Sequence, residues 1–422
     1  MQTFEAFSVR ADIPEKDLAH ATIAIGLDPL SEVAGDGQFQ LKSQQYEGSV
    51  DLKADLASKT SRLRKLLGSR EIAKLLPHHT TLQWKGGGDL KDHTHEGTLA
   101  LDSDGLTLAE EAEPIAVKVQ GSYTGTSADF PVIELTSRPL NLSGAVKWAD
   151  RELTILNWKG HSDGKEILTM SGAIPLDREK LTPALWFGQE APISLLLDLK
   201  ELPIATVSRL FTKEIPLLGI LSADLHLSGL ASAPEVAATL ALDQITVPRD
   251  SSEIRAGQIK LHLDAKNEQL ALTGSYEHPD VKPLLLQAKM PYRPAAWVLG
   301  EQKLIEEPLE FSAKMDRSSL AFLSGQVPGI ESITGEVQLD AEVSGSLSKP
   351  EIRGNSLLDI SRLRLADRNA PSLYDINLVA RFAENRIELE KLHAVVAGGV
   401  VEGSGGMTFA PGGEPTISLN LN

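Results

Sequence analysis

The sequence predicts an all-β chain with a few short helices, an elongated repeat whose sheet curls into a trough with an apolar interior, a β-taco. Three observations carry that prediction. Apolar and polar residues alternate in short runs over nearly the whole length, giving about 25 strand candidates. One unit recurs at a spacing of 116 to 118 residues. Each copy also interrupts its alternation at the same place, where one extra residue would bend the strand and then restore the apolar face.

The recurrence is explicit in the residues. Gly219, Leu225, Leu227, Ser228, Gly229, Pro234, Glu235 and Val236 are matched by Gly335, Ala341, Val343, Ser344, Gly345, Pro350, Glu351 and Ile352. Leu240, Leu242, Ile245 and Val247 match Leu358, Ile360, Leu363 and Leu365, so two residues are gained after the turn. Ile259, Leu261 and Leu263 then match Ile376, Leu378 and Ala380, and Leu270 and Leu272 match Ile387 and Leu389. Strand side chains alternate between faces, so Ile259, Leu261 and Leu263 share an apolar face while Lys260, His262 and Asp264 share a polar one. Alternation alone fits a closed β-sandwich equally well. A sandwich ends within about 100 residues, however, whereas this pattern continues for 422. At about 4.8 Å per strand, such a ladder is expected to run on the order of 100 Å.

Taken in order, residues 1–59 form a partial unit with strands at Ile23–Leu27, Phe39–Leu41 and Val50–Leu56, and a turn at Ala34-Gly35-Asp36-Gly37. Residues 60–200 form a diverged unit. A helix is predicted over Thr60–Leu76, from the near-helical spacing of Leu63, Leu66, Leu67, Ile72, Leu75 and Leu76 before Pro77. Strands follow at Leu82 and Trp84, a turn at Gly86-Gly87-Gly88, then strands at Leu99–Leu101, Leu106–Leu108 and Ile115–Val119, with Asp104-Gly105 as another turn. Four extra strands carry Leu140 and Leu142, Val146 and Trp148, Leu153 and Ile155, and Leu168 and Met170. Residues 201–316 and 317–422 are the two clear copies, the second truncated. Each opens on a helix, Pro203–Phe211 and a shorter one over Ser318–Leu323, expected to lie across the trough mouth or edge. Pro411-Gly412-Gly413 reads as a turn.

Composition narrows the function classes. The net charge of −17 opposes nucleic acid and anionic membrane surfaces, and the small basic run Arg62, Arg64, Lys65 and Arg70 reads as a solvated helix face. Absence of cysteine removes disulfide and thiol chemistry and suits an oxidising compartment such as a periplasm. No apolar run reaches the roughly 18 residues of a membrane helix. The start, Met1-Gln-Thr-Phe-Glu, is not a signal peptide, and the last residues, Ile417, Leu419 and Leu421, continue a strand pattern. The expectation is a segment of a longer protein.

Motifs for chemistry are few. Gly160-His161-Ser162-Asp163-Gly164 has the Gly-x-Ser-x-Gly spacing of a nucleophile elbow, but Glu166–Met170 continues as a strand where an elbow needs a helix, so it reads as a hairpin turn. His93-Thr94-His95-Glu96, near His78-His79, could place two imidazoles together, yet Lys91 and Asp92 make it look like a solvated loop. The five tryptophans, Trp84, Trp148, Trp158, Trp186 and Trp297, read as core anchors or rim caps. No nucleophile, cofactor or metal constellation emerges, and a non-enzymatic role without cofactors is expected.

The clear copies resemble the TamB/AsmA-like superfamily of bacterial envelope proteins through Gly335, Val337, Leu339, Val343, Gly345, Pro350, Ile352 and Gly354. The first copy carries Gly219, Leu221, Leu225, Leu227, Gly229, Pro234 and Val236, with Ala238 where Gly354 stands; the glycine-rich tail Ala397–Gly406 is similar too. Coverage is good from about 200 to 422, fair from 60 to 200 and poor before that. The resemblance implies a β-taco trough in the periplasm, an inner-membrane anchor outside this segment, and membrane contact through segments not included here. It further implies phospholipid transport between inner and outer membranes, or outer-membrane protein assembly with a barrel protein partner. The leading expectation is a groove for phospholipid or another acyl-chain lipid. Its lining is Leu225, Leu227, Leu240, Leu242, Ile245, Ile259, Leu261, Leu263, Val337, Leu339, Ile360, Leu363, Ile376, Leu378, Ile387 and Leu389. The alternative is a scaffold whose edges pair with client strands.

Overall fold

The computed structural model describes residues 6–28, 31–55, 79–107, 113–176, 190–211, 218–246, 257–324, 327, 329–367, 369–384, 386–408 and 416–421. The chain divides into two units, residues 1–181 with 192–215, and residues 182–191 with 216–422. Both are built almost entirely of antiparallel strands, as the alternation predicts.

The first unit holds β1 (Ala6–Glu15), β2 (Leu18–Asp28), β3 (Ser31–Gln40), β4 (Gln45–Ala54), β5 (Thr80–Asp89), β6 (Thr94–Leu106), β7 (Ile115–Tyr123), β8 (Ser127–Thr136), β9 (Asn141–Ala149), β10 (Glu152–Ser162), β11 (Lys165–Pro175) and β12 (Ser194–Pro203), then helix α1 (Ile204–Phe211). Each strand pairs with the next in sequence, a meander from β1 to β12. The second unit holds β13 (Leu218–Leu230), β14 (Ala233–Thr246), β15 (Gly257–Lys266), β16 (Gln269–His278) and β17 (Val281–Pro291), then helix α2 (Pro294–Leu299) and a 3-10 turn at Leu304–Glu306. After β18 (Glu310–Ser319) and a second 3-10 turn at Ala321–Leu323 come β19 (Ile330–Ser346), β20 (Lys349–Leu365), β21 (Leu373–Glu384), β22 (Arg386–Val396), β23 (Gly399–Thr408) and β24 (Thr416–Leu421). Among the described residues these strands again pair only with their sequence neighbours. Neither ladder closes into a barrel: among the described residues β1 is bonded only to β2, and β24 only to β23.

Turn chemistry sets these registers. Asp163-Gly164, Asn267-Glu268 and Ala397-Gly398 all have φ between 49° and 83°, the left-handed backbone of two-residue hairpins. The Gly160–Gly164 string is therefore a hairpin tip. The recurring Ser-Gly-x4-Pro-Glu motif is the same hairpin twice, with Gly229 opposite Pro234 and Gly345 opposite Pro350, both glycines near φ 90°.

The repeated break is a bulge. Between Leu242 and Ile245 the register of β14 shifts, with Gln244 at φ 54°, and on β20 Ser361 is the extra residue opposite Thr334 and Gly335. Several other interruptions of the alternation differ from the sequence expectation. Gly86-Gly87-Gly88 lies inside β5 and Ala34–Gly37 inside β3, so neither is a turn. Glycine is needed at Gly86 because a Cβ there would lie 2.8 Å from the Trp84 ring. Asp104-Gly105 is a bulge within β6, and the candidates around Leu142 and Val146 are one strand, β9. The helix Pro203–Phe211 is present as α1, with Leu202, Ile204 and Thr206 buried. Ser318 and Ser319 end β18 instead of starting a helix, leaving a single 3-10 turn after them. The predicted helix Thr60–Leu76, Leu56, Leu108, Trp186 and Pro411–Gly413 lie outside the described residues.

Candidate functional site

Residues directly opposed in an antiparallel pair point to the same face, so the register traces each face across a unit. In the second unit one row reads Leu221, Leu242, Ile259, Tyr276, Leu284, Met315 and Leu339 from β13 to β19. The next reads Ala223, Leu240, Leu261, Gly274, Leu286, Ala313, Ala341, Gly354, Phe382, Ile387, Met407 and Ile417 from β13 to β24. A third reads Leu225, Ala238, Leu263, Leu272, Ala288, Phe311, Val343 and Ile352. Leu227 sits opposite Val236 beside this row, Ile245 opposite Gly257, and Val337 opposite Leu358, which meets Leu378. Ile360 meets Ile376, Leu363 meets Ile333, and Leu389 meets Ala380. All sixteen residues expected to line a groove thus share one face.

That face is not sealed beneath a second layer. Of the sixteen, fourteen are half-buried, Ile360 is 5% exposed and Leu240 is 38% exposed. Among the described residues, large apolar side chains on this face are buried where a short segment crosses it. Leu320, Ile333 and Ile360 form one buried cluster, with Leu323, Val337, Leu363 and Ile376 packed around it, so the 3-10 turn at Ala321–Leu323 covers the lane over β19–β21. Phe322 of the same turn meets His278 at the end of β16, ring centroids 5.1 Å apart. The rows through Leu240, Leu261 and Gly274, and through Ala238, Leu263 and Leu272, lie outside that cluster. Leu261 leans over Gly274, where a Cβ would come within 2.6 Å of its Cδ2.

Helix α2, which lies beside β14, is an element that the strand pattern did not suggest. Its signals are present in Pro294 at its first turn and Gly300 as a left-handed C-cap, φ 74°. Trp297 on this helix donates its indole N–H to Glu307 Oε1 (3.1 Å), and Glu307 is fully buried with Arg293 Nη1 3.7 Å from its other oxygen.

The first unit repeats the arrangement. Leu52, Leu82, Leu101, Val119 and Ile133 form one row, and Leu142, Gly160, Leu168 and Leu199 another on the same face. The Trp158 indole packs on Gly144, whose Cβ would fall 2.3 Å from the ring, and donates to Ala145 O (3.1 Å). Trp148 donates to Leu176 O (2.9 Å). The Arg209 carbonyl on α1 accepts from Glu113 N (3.0 Å), just before β7. Along a flat sheet β7 and β12 would lie about 24 Å apart, whereas α1 is only about 12 Å long, so this bond requires the sheet to curl.

The opposite face is solvated. Arg317 pairs there with Glu336 (2.5 Å) and Asp359 (3.4 Å), exposed contacts that add little stability. Hydrogen bonds from Lys159 and Lys165 hold the carboxyls of Glu166 and Glu201 below their usual range. Burial pushes the Tyr276 and Tyr292 hydroxyls up. A recess of about 1080 Å³ lies against β3–β7, lined by the exposed Gln38, Gln40, Glu47, Lys85 and Glu96 of this face and by Tyr46 and Tyr123 of the other.

The His93–Glu96 segment is not simply a solvated loop. His93 stays in an exposed turn at φ 54°, but His95 belongs to β6 and stacks between Tyr46 and Trp84, centroids 5.8 and 5.9 Å away. Among the described residues no three histidine or carboxylate side chains gather as a metal site, and no helix is long and apolar enough to cross a membrane. Fold and site together define a class, an open antiparallel-sheet protein with one continuous, incompletely covered apolar face in each unit. No family model, curated protein or solved structure matches the chain.

Proposed function

We propose that this chain conducts acyl-chain lipids, as the periplasmic segment of a longer, inner-membrane-anchored envelope protein of the TamB/AsmA-like kind that moves phospholipid between two membranes. The observation that carries the reading is the half-buried apolar face, with Leu240, Leu261 and their neighbours on one side of every strand. Burial of one acyl chain there gains about 0.8 kcal/mol per methylene, on the order of 12 kcal/mol for a sixteen-carbon tail, while the headgroup keeps its water. Neighbouring strands offer similar surfaces, so a tail moves along the face without crossing one deep well.

The test is mass spectrometry of the purified chain. Copurified phospholipid, displaced by added lipid of a different chain length, supports the conduit; a lipid-free chain that takes up none on mixing with vesicles rejects it. The second reading, a scaffold for outer-membrane protein assembly with a barrel partner, draws on β24, all of whose residues are exposed, Ile417 at 66%. Such an edge can accept another strand. Saturable binding of unfolded barrel peptides without lipid would favour it.

A further inference from the structure

At one end of the strands in the first unit, the apolar face changes character. Val50, Trp84 and Leu99 form a row, and beyond it Tyr46 faces Gly88, Gly88 faces His95, and Gly97 faces Tyr123. The four ring-bearing residues meet over the glycines. A Cβ at Gly97 would lie 3.0 Å from the Tyr123 hydroxyl and 3.1 Å from Trp84 Nε1, so the contact between them needs glycine below. Trp84 Nε1 lies 2.6 Å from Tyr123 OH, which lies 3.3 Å from His95 Nε2.

The chemistry of these groups fixes the direction of the first bond. An indole N–H can only donate, so the Tyr123 oxygen accepts it; in the tautomer whose Nε2 is unprotonated, Tyr123 then gives its own proton to His95. That tautomer carries its hydrogen on Nδ1. Neither that N–H nor the Tyr46 hydroxyl has a partner among the described residues. The imidazole is held between the Tyr46 and Trp84 rings, with interplanar angles of 23° and 15°, so the open donor is fixed in place. Aromatic side chains with one polar atom also suit the boundary between an apolar surface and water.

We infer that Tyr46, Trp84, His95 and Tyr123 form a headgroup station that holds the phosphate of an acyl lipid while its tails lie along Val50, Leu52, Leu82 and Leu99. The inference rests on the conduit reading. An anionic phosphate oxygen accepts from His95 Nδ1–H and from the Tyr46 hydroxyl, charge-assisted bonds stronger than neutral ones. A diacylglycerol with the same tails has no anionic oxygen to offer, so the station distinguishes the two.

Calorimetric titration of the full chain with dioctanoyl phosphatidylglycerol, dioctanoylglycerol and inorganic phosphate tests this. The expected result is that the phospholipid binds about 10-fold or more tighter than dioctanoylglycerol, and inorganic phosphate far more weakly than either. His95→Phe, which keeps a ring in the stack, abolishes the preference. Tyr46→Phe reduces the preference by an independent route and replaces the first variant if that one does not fold. Equal affinity of the wild type for the two lipids overturns the station and leaves the conduit standing. Inorganic phosphate binding as tightly as the phospholipid overturns the assignment to a lipid headgroup. Binding of none of the three overturns the conduit and the station together.

Discussion

Leu261→Asp puts the conduit reading at most risk. Leu261 lies on β15 between Leu240 and Gly274, and half-buried, in the row that continues to Ile417. An acyl chain crossing one strand advances about 4.8 Å, roughly four methylenes, or about 3 kcal/mol of apolar contact at about 0.8 kcal/mol each. A carboxylate there removes that contact and must itself be desolvated as the chain passes. A barrier of about 3 kcal/mol slows passage by more than about 100-fold. The fold loses much less, about 1–2 kcal/mol, because the leucine is only half-buried and the new carboxylate still reaches water. Transfer of fluorescent phospholipid between donor and acceptor vesicles reads the rate, and thermal unfolding reads the fold. His262→Asp adds the same carboxylate one residue away on the solvated face and leaves the rate unchanged. Transfer by Leu261→Asp within about threefold of wild type would falsify the lane, since no other face of β14–β16 is apolar.

Two further outcomes follow from the covers and the buried hydroxyls. Leu320→Ala, in the buried cluster with Ile333 and Ile360, costs about 2–4 kcal/mol in denaturant unfolding and raises lipid uptake by uncovering the lane over β19–β21; unchanged stability would mean that the 3-10 turn does not cover the face. Burial holds the Tyr276 hydroxyl above its ordinary range, so as pH rises the unfolded chain ionises first. Stability from this group is complete below about pH 10 and is lost as pH climbs through the folded value. Tyr276→Phe therefore flattens the alkaline fall in melting temperature between about pH 9 and pH 11, and an identical slope in the variant would refute the burial argument.

The strands were legible because their apolar residues repeat every second position, and the bulges because Leu242-x-x-Ile245 and Ile360-x-x-Leu363 break that period alike. Glycine misled the reading. Gly86 leaves room for the Trp84 ring of its own strand, Gly97 for Trp84 and Tyr123 of the two neighbouring strands, and Gly105 serves a bulge; local sequence does not separate these uses from a turn. The aromatic station was in part readable. His95 shares its parity with Leu99 and Leu101, Tyr123 with Val117 and Val119, and Tyr46 with Val50 and Leu52. What alternation could not give was that Tyr46, His95 and Tyr123 stand at the same end of three different strands, which depends on hairpin lengths across 77 residues.

The two clear copies show how the apolar face survives divergence. From the turn pair Gly229–Pro234 to Leu221–Leu242, whose Leu242 is the last β14 residue paired with β15 before the bulge, β13 runs 8 residues; from Gly345–Pro350 to Gly335–Ile360, β19 runs 10. The gain is two residues, an even number, so every side chain beyond it keeps its face. A gain of one would have turned Leu358 and Ile360 to water and brought Asp359 inward. The same pairs consequently recur, Leu242 opposite Ile259 and Ile360 opposite Ile376, Leu240 opposite Leu261 and Leu358 opposite Leu378. Side-chain identity along these rows varies among leucine, isoleucine, valine, alanine, glycine, methionine and aromatic residues, while the parity does not. A pocket shaped for one ligand would require particular volumes at particular positions. A surface that only has to stay continuous requires parity alone, and that is the constraint the duplicated strands keep.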